Sequence, residues 1–297
     1  SLYLADDVAP IIALADALAA RGFAVDALYV ASLKEPESEN IVAQALDAFA
    51  PDVIINSTAF SARRENGAVL DRADAPVLQV ALATSTYEAW STSARGANGA
   101  DLAMNVVLPE VDGRIFTRGI SFKKPAETRG VTEFNTTRHA PEISRIGFVA
   151  DLAANWARLR RKQNDEKSLA LILSDYPARR GRSGYAIGLD APASVVEILY
   201  SLKAAGYDIG SETFQDGGAS IIRALEDAAQ EITISLDDYR RWFDALPAAF
   251  TQNIIEQWGA PQDDPAVRGE AFHLSGMVSG HLVLALQPDR GARADRE

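Results

Sequence analysis

The stretch NIVAQALDAFAPDVIINST, residues 40–58, decides the fold class of this chain. Its first part repeats apolar side chains at the spacing of a helix. Pro51 then ends that helix, because proline lacks the backbone N–H that a helix interior needs. The following DVIINST is an apolar run of the length of a strand. A helix that leads into a strand apolar on both faces indicates a parallel sheet covered on both sides.

The neighbouring segments continue this alternation of helices and strands. VAPIIALADALAARG (8–22) predicts a helix that ends at its last glycine. Three apolar runs, FAVDALYV (23–30), PVLQVAL (76–82) and DLAMNVVL (101–108), predict strands, and Asp112-Gly113 predicts a hairpin turn. The first part of the chain is therefore expected to be an α/β domain with an open, Rossmann-like parallel sheet.

The rest of the chain predicts a second α/β domain that is rich in helices. The polar stretch from Pro125 to Pro141 is bounded by prolines and is the expected boundary, so the domains are predicted at residues 1–140 and 141–297. The second domain is expected to be incomplete at its C-terminal end. Its predicted elements are a helix at 143–163, a strand at 168–174, helices at 191–206, 217–230, 235–246 and 247–259, and strands at 271–278 and 281–288.

Net charge and cysteine content exclude several classes of function. The formal charge of −12 disfavours nonspecific binding to nucleic acid or to an anionic membrane. The chain has no cysteine, so it has no disulfide or thiolate site, which fits a cytoplasmic protein. No apolar run has the length of a membrane span, and the first residues lack both a signal-peptide pattern and an initiating Met. We therefore expect a cytoplasmic chain that is a fragment of a longer protein.

One glycine- and arginine-rich segment, SDYPARRGRSGYAIGLDAPAS (174–194), lies where a predicted strand leads into a predicted helix. Its glycines have neither Walker-type nor dinucleotide-binding spacing, and no lysine follows them. Asp190 is the expected N-cap of the helix, with Pro192 in its first turn. Loops of this kind lie at the carboxyl edge of a sheet, and their arginines suit bidentate binding of carboxylates. The residues alone leave two interpretations open, a carboxylate-binding loop and a charged surface loop.

The remaining polar residues predict structural roles. His139, His273 and His281 are scattered without metal-ligand spacing, so each is expected to be packed or at the surface, and no metal site is predicted. Ser235 is the expected N-cap of a helix whose first turn contains two aspartates. No G-x-S-x-G nucleophile motif occurs, and no catalytic residue is assigned.

Several long phrases, in order, resemble one family. They are LPEVDGRIFTRGISFK (108–123), the stretch from NWARLRRKQNDEKSLALIL to SLKAAGYDIG (155–210), DDYRRWFDALP (237–247), IIEQWGAPQDDP (254–265) and HLVLALQPDRG (281–291). They resemble the large, tetrapyrrole-binding subunit of aerobic cobaltochelatase and, more loosely, the H subunit of magnesium chelatase. The GLDAPAS segment (188–194) is similar to the cobalt branch in particular.

The resemblance implies a subunit of an ATP-dependent cobaltochelatase of cobalamin biosynthesis. Such a subunit holds a carboxylate-rich corrin precursor of the hydrogenobyrinic acid a,c-diamide type and receives Co²⁺ as substrate. ATP is hydrolysed by AAA+ partner subunits and not bound by this chain, which agrees with the missing phosphate loop. The family's histidine- and glycine-rich motif would follow the last phrase, so the chain alone is expected to be inactive.

The resemblance and the arginine cluster together give the candidate site. The residues expected to face the acidic periphery of the tetrapyrrole are Tyr176, Arg179, Arg180, Arg182, Gly184 and Tyr185, with Gly181 and Gly188 giving further turns. Three alternatives stay open: a magnesium-chelatase H-type subunit, a non-catalytic small-anion-binding module, and a protein-interaction platform in which the helical segments from Ser211 to Trp258 bind the ATPase partners.

Overall fold

The computed structural model describes residues 2–125, 136–174, 188–211, 217–226 and 231–287. The chain forms two compact units, Ser1–Arg161 and Lys162–Glu297. Both units combine helices with sheets that contain parallel strands, so the predicted α/β class is confirmed. Among the described helices, none has both the length and the apolar character needed to cross a membrane.

The first unit is built on a four-stranded sheet in the order β1-β2-β3-β4. The strands are β1 (Ile54–Asn56), β2 (Val77–Leu82), β3 (Ile115–Pro125) and β4 (Thr137–Pro141). The first three run parallel, and β4 pairs antiparallel with β3 so that Phe122 faces Ala140. The carboxyl ends of β1, β2 and β3 therefore meet at one edge of the sheet, which is the usual ligand-binding edge of an open α/β sheet.

Helices cover both faces of this sheet. They are α1 (Ala9–Ala19), α2 (Pro36–Phe49), α3 (Tyr87–Ser91), α4 (Gly99–Leu102), α5 (Leu108–Val111) and α6 (Ile143–Arg161). Leu78 and Val80 of β2 lie in a core with α1 and α6, whereas Val77 packs into a second core with α2. Because successive strand residues point to opposite faces, these two cores lie on opposite sides of the sheet.

Three local predictions for the first unit are wrong. FAVDALYV (23–30) forms no strand, and its Val25 and Leu28 side chains are exposed. DLAMNVVL (101–108) is helical: Asn98 caps α4 by accepting a hydrogen bond from the Asp101 backbone, and a π-helical turn joins α4 to α5. An apolar run alone does not distinguish a strand from a buried helix. The Asp112-Gly113 turn connects α5 to β3 and so is not a hairpin.

The second unit contains a five-stranded sheet. Its strands are β5 (Leu169–Leu173), β6 (Glu231–Ser235), β7 (Val267–Arg268), β8 (Ala271–Ser279) and β9 (Leu282–Leu286). The order is β5-β9-β8-β6, and the short β7 pairs with β8. β5 and β9 are parallel, whereas β8 runs antiparallel to both β9 and β6.

Four helices accompany this second sheet: α7 (Ala191–Ala204), α8 (Gly218–Glu226), α9 (Leu236–Asp244) and α10 (Ala248–Trp258). Leu199 of α7 and Ile221 of α8 pack with Leu282 and Leu284 of β9 in one buried core. The predicted N-caps are confirmed, because the Asp190 carboxylate accepts from the Ala193 backbone and the Ser235 hydroxyl accepts from the Asp238 backbone.

The two units divide later in the chain than the sequence prediction had it. The predicted boundary lay between residues 140 and 141, whereas the compact units divide between Arg161 and Lys162. The reason is α6, whose Ile146, Val149 and Ala153 are fully buried in the core of the first sheet. This helix therefore belongs to the first unit.

Candidate functional site

The residues predicted to contact a tetrapyrrole lie outside the described residues. These are Tyr176, Arg179, Arg180, Arg182, Gly184 and Tyr185, together with the turn residue Gly181. The elements on either side of them are described: β5 ends at Leu173, and α7 begins at Ala191. The predicted site segment therefore connects the carboxyl end of a parallel strand to the start of a helix, as the sequence predicts.

A second segment leaves the sheet at the same point. Because β5 and β9 are parallel neighbours, their carboxyl ends lie side by side, with Leu173 opposite Leu286. The backbone N–H of Gln287 donates to the carbonyl oxygen of Leu173 at 2.8 Å. Residues that follow β9 thus begin next to the start of the arginine-rich segment.

The first turns of α7 and α8 are in close contact. A methyl group on Gly218 would lie 2.9 Å from both the backbone nitrogen of Ala193 and Cβ of Pro192, so only glycine fits there. The two helix N-termini are consequently adjacent, each with the partial positive charge of a helix start. At α7 this charge is already met by the Asp190 carboxylate, which accepts from the Ala193 backbone N–H.

In the first unit, a buried carboxylate holds the loop that follows β2. Asp101 is only 2% exposed, and its Oδ2 accepts hydrogen bonds from the backbone N–H and the hydroxyl of Thr84, both at 3.0 Å, and from Nδ2 of Asn98 at 2.9 Å. Thr86 then caps α3 by accepting from the Ala89 backbone at 3.2 Å. These bonds fix the position of α3 at the carboxyl end of β2.

A separate buried polar network joins β1 and β2 to the turn that precedes β3. Nδ2 of Asn56 donates to Oε1 of Gln79 at 2.6 Å, and Nη1 of Arg114 lies 3.4 Å from the same oxygen. The other terminal nitrogen of Arg114 donates to Asp112 at 2.9 Å. Asp112 also accepts from the hydroxyl of Ser61 at 2.5 Å and from the Ala62 backbone at 2.6 Å. The network pairs Asp112 with Arg114 in the interior and engages both terminal nitrogens of the guanidinium, whereas the buried Nε of Arg114 has no hydrogen-bond partner among the described residues.

The protonation of this pair follows from its contacts. Burial by itself would raise the pKa of Asp112, but the hydrogen bonds from Ser61 and Ala62 and the charge of Arg114 hold that pKa below its usual value. Burial lowers the pKa of Arg114, against the opposing effect of Asp112. The pair is therefore charged near neutral pH. Because both side chains are buried and bonded to each other, we assign the pair a role in stability.

The three histidines have separate surroundings. His139 is buried, with Nδ1 at 3.1 Å from the hydroxyl of Ser121, and burial followed by the charge of Lys123 lowers its pKa. His273 contacts Glu231 at 3.0 Å, and His281 contacts the carbonyl oxygen of Asp165 at 2.8 Å. Within the described residues, no group of three histidine or acidic side chains has the arrangement of a metal site.

Sequence reasoning missed a cluster of aromatic rings and arginines in the first unit. Tyr87 and Trp90 of α3 lie against Phe122 of β3, with ring centroids 5.2 Å and 5.1 Å apart, respectively. The guanidinium groups of Arg145 and Arg118 lie over the rings of Trp90 and Phe148. The cluster combines residues from α3, β3 and α6, so no local sequence pattern reveals it.

Comparison with known proteins gives a consistent result. The sequence matches the CobN/Magnesium Chelatase family over residues 1–297. Aerobic cobaltochelatase subunit CobN from a Sinorhizobium species is 38% identical over 99% of this chain and 24% of its own length. The protein of the same name from Pseudomonas aeruginosa is 36% identical over 94% of this chain and 23% of its own length. The chain thus spans about a quarter of the length of these relatives.

A more distant relative and a solved structure agree with this match. Magnesium-chelatase subunit ChlH from Oryza sativa subsp. indica is 28% identical over 77% of this chain and 16% of its own length. The solved structure of the catalytic subunit of cobaltochelatase from Mycobacterium tuberculosis superposes with a TM-score of 0.77 at 29% identity, covering 97% of this chain and 25% of that one. The chain belongs to the CobN/Magnesium Chelatase family.

Proposed function

We propose that this chain is part of the tetrapyrrole-binding subunit of an ATP-dependent cobaltochelatase that inserts Co²⁺ into a corrin precursor of the hydrogenobyrinic acid a,c-diamide type. The observation that carries the proposal is the similarity along nearly the whole chain to two cobaltochelatase subunits, at 38% and 36% identity. The magnesium-chelatase relative from rice is less similar, at 28% identity over 77% of the chain. This difference favours the cobalt branch.

In this proposal, the arginine-rich segment binds the carboxylates of the macrocycle. Arg179, Arg180 and Arg182 supply fork-shaped donors that match carboxylate geometry, and Tyr176 and Tyr185 contact the ring periphery. Support comes from the described elements around the segment, which are the carboxyl end of β5 and the adjacent N-termini of α7 and α8. Of these, the carboxyl end of β5 is the feature that supports ligand binding, since ligands of open α/β sheets usually bind beyond the carboxyl ends of the strands.

In this proposal, ATP hydrolysis and removal of the macrocycle proton are not assigned to any residue of this chain. We propose, as the family resemblance implies, that ATP is hydrolysed by AAA+ partner subunits; the absence from residues 174–194 of the glycine spacing and the lysine of a phosphate-binding loop agrees with this. Metal insertion must also remove the inner N–H proton of the corrin macrocycle, and no residue of this chain is assigned that role. We therefore propose a cytoplasmic protein in which these 297 residues hold the substrate but do not insert the metal by themselves.

The test is binding of the corrin precursor to the full polypeptide that carries this sequence. We expect Arg180→Ala combined with Arg182→Ala to weaken binding by roughly 10- to 100-fold, because each substitution removes charge-assisted hydrogen bonds. Arg240→Ala is the matched control, since Arg240 pairs with Asp237 at the surface of α9. Unchanged affinity in the double variant would contradict the role of the arginines.

A magnesium-chelatase H-type function is the alternative that a specific observation supports, namely the similarity to the rice subunit. The two functions differ in the macrocycle that is bound. We expect tighter binding of the corrin precursor than of protoporphyrin, measured on the same polypeptide. The reverse order of affinities would assign the chain to the magnesium branch.

A further inference from the structure

Two arginines of the first unit lie next to each other on aromatic rings. Cζ of Arg118 lies 3.5 Å from the ring centroid of Phe148, and Cζ of Arg145 lies 4.5 Å from that of Trp90. Nε of Arg145 donates to the carbonyl oxygen of Gly119 at 2.6 Å. Gly119 directly follows Arg118, and Phe148 lies one helical turn after Arg145, so the two guanidinium groups are neighbours. We call Arg118 and Arg145 the stacked-arginine pair.

The stacked-arginine pair has no carboxylate partner within the part of the chain that the structure describes. Ten other arginines do form such ion pairs: Arg21, Arg63, Arg64, Arg72, Arg114, Arg138, Arg161, Arg240, Arg241 and Arg268. The two guanidinium groups repel each other, and no described carboxylate lies close enough to form an ion pair with either of them.

The contacts of Arg145 also show that no described carboxylate pairs with it. Burial, followed by the charge of Arg118, lowers the pKa of Arg145, whereas Tyr87 and Glu142 act in the opposite direction. The Glu142 carboxylate accepts a hydrogen bond from the Ser144 hydroxyl at 3.0 Å and forms no ion pair with Arg145. The positive charge of the pair is therefore partly buried and available to a ligand.

Two aromatic residues of the cluster are exposed. Phe148, whose ring lies beneath Arg118, is 41% exposed, and Tyr87, which packs against Phe122, is 49% exposed, whereas Trp90 beneath Arg145 is half-buried. An arginine stacked on a ring keeps its N–H donors at the edge of the guanidinium plane, where they can reach carboxylate oxygens. Arg118 makes no side-chain hydrogen bond to any described residue, so its full set of donors is available.

We propose that Arg118 and Arg145 form a carboxylate-binding subsite for a planar organic polycarboxylate, which packs against Tyr87, Trp90 and Phe148. Identification of that ligand with the tetrapyrrole rests on the proposed function. The residues of the subsite all belong to the first unit, whereas the arginine-rich segment belongs to the sequence of the second. It accounts for exposed aromatic rings and unpaired arginines in one place, at the carboxyl end of β2.

The first experiment uses a probe that is independent of tetrapyrroles. Benzene-1,2,4,5-tetracarboxylate is titrated calorimetrically into the full chain and into Arg118→Gln and Arg145→Gln. We expect binding that weakens with salt, and a loss of about tenfold for each substitution, because each removes a charge-assisted contact. Arg118→Gln is the more decisive variant, since it removes no hydrogen bond within the described fold.

The matched control is Arg95→Gln, because Arg95 is an exposed arginine of the same unit without a described ion pair or ring contact. The subsite is supported if Arg95→Gln retains binding and the other two variants lose it. Arg118→Gln must also unfold at the same temperature as the unmodified chain. The subsite is overturned if the unmodified chain does not bind the probe, or if all three variants bind equally well.

The second experiment separates the subsite from the proposed function. The full polypeptide that carries this sequence is titrated with uroporphyrin, whose periphery carries carboxylates, and with its methyl ester, which lacks the charges. Tighter binding of the acid that depends on Arg118 supports both proposals. If uroporphyrin binds equally well to Arg118→Gln, the subsite is overturned and the proposed function stands. If the benzene tetracarboxylate binds through both arginines but neither uroporphyrin nor the corrin precursor binds, the subsite stands and the proposed function fails.

Discussion

At the scale of single residues, Asp112 and Arg114 form an ion pair that the first unit excludes almost completely from water. We expect Asp112→Asn to lower the free energy of unfolding by roughly 3–5 kcal/mol, because it leaves a buried guanidinium without its counter-charge. The measurement is chemical denaturation of the full chain. Asp47→Asn is the control: Asp47 pairs with Arg72 at the surface, where solvent screens the pair, and its loss should change stability little. Equal effects of the two substitutions would contradict the buried role of Asp112.

His139 gives a prediction about pH. Its pKa is lowered in the folded chain by burial and by Lys123, with Asp7 and Asp101 opposing. The unfolded chain therefore takes up the proton first as the pH falls, so the stabilising contribution of neutral His139 is complete above about pH 6.5 and is lost below it. We expect the free energy of unfolding to fall between about pH 7 and about pH 5.

A variant isolates this contribution. His139→Asn retains a polar group able to hydrogen-bond the Ser121 hydroxyl but does not titrate, so its unfolding free energy should depend less on pH in this range. Urea denaturation of both proteins at several pH values measures the difference. The same slope in the two proteins would show that His139 does not cause the pH dependence.

At the scale of elements, β8 and β9 approach so closely that one position requires glycine. A methyl group on Gly276 would lie 2.7 Å from the carbonyl oxygen of Leu284 and 2.5 Å from Cδ1 of Ile232. We expect Gly276→Ala to push β9 away from β8 and to lower the free energy of unfolding by about 1–3 kcal/mol. Thermal unfolding with calorimetry measures the loss.

The control for this prediction is Gly99→Ala, in the first turn of α4. Nothing lies within 4 Å of the added methyl group there, and the backbone is in a conformation open to any residue. Alanine at this position should be neutral or slightly stabilising. A loss equal to that of Gly276→Ala would mean that the close approach of the strands is not the cause.

Helices with a clear apolar periodicity or a capping residue at their start could be predicted from the sequence. The helices α6, α7 and α9 begin where the apolar periodicity and the capping residues place them, and Asp190 and Ser235 form the expected hydrogen bonds. Residues 101–108 could not be assigned correctly because their apolar run fits a strand as well as a buried helix. The start of this helix is marked by the Asn98 cap, a local hydrogen bond to the Asp101 backbone from a residue that precedes the apolar run.

The arginine-rich segment and the stacked-arginine pair also differ in whether the sequence could predict them. The arginine-rich segment is continuous in sequence, so its residue types could be recognised directly, and its flanking strand and helix could be predicted. The stacked-arginine pair draws Arg118 from β3 and Arg145 from α6, and its rings come from three elements. Only the tertiary fold brings these residues together, so their function could not be read from spacing.

At the scale of the whole molecule, each unit has hydrophobic cores of its own. Residues of the first unit make two core clusters, and residues of the second make another, with Leu199, Ile221 and Leu284 among its buried members. We expect Asp112→Asn to increase amide hydrogen exchange in the first unit and Gly276→Ala to increase it in the second. Mass spectrometry of peptides from the full chain measures this, and increased exchange spread evenly over both units would contradict it.

The whole chain also carries its charge unevenly. A net charge of −12 repels a polycarboxylate at long range, so binding depends on local groups of arginines that outweigh the average. The family resemblance predicts an acidic substrate, and the stacked-arginine pair is the local group of arginines that we propose for binding carboxylates in the first unit. The global charge by itself would have argued against such a ligand.

The parallel pairing of β5 with β9 has a consequence for how the sequence evolves. Because Gln287 bonds to Leu173, the segment after β9 and the arginine-rich segment after β5 start side by side although they are distant in the chain. We expect mutations in the two segments to be epistatic, so that natural selection acts on them jointly and a change tolerated in one depends on the residues present in the other.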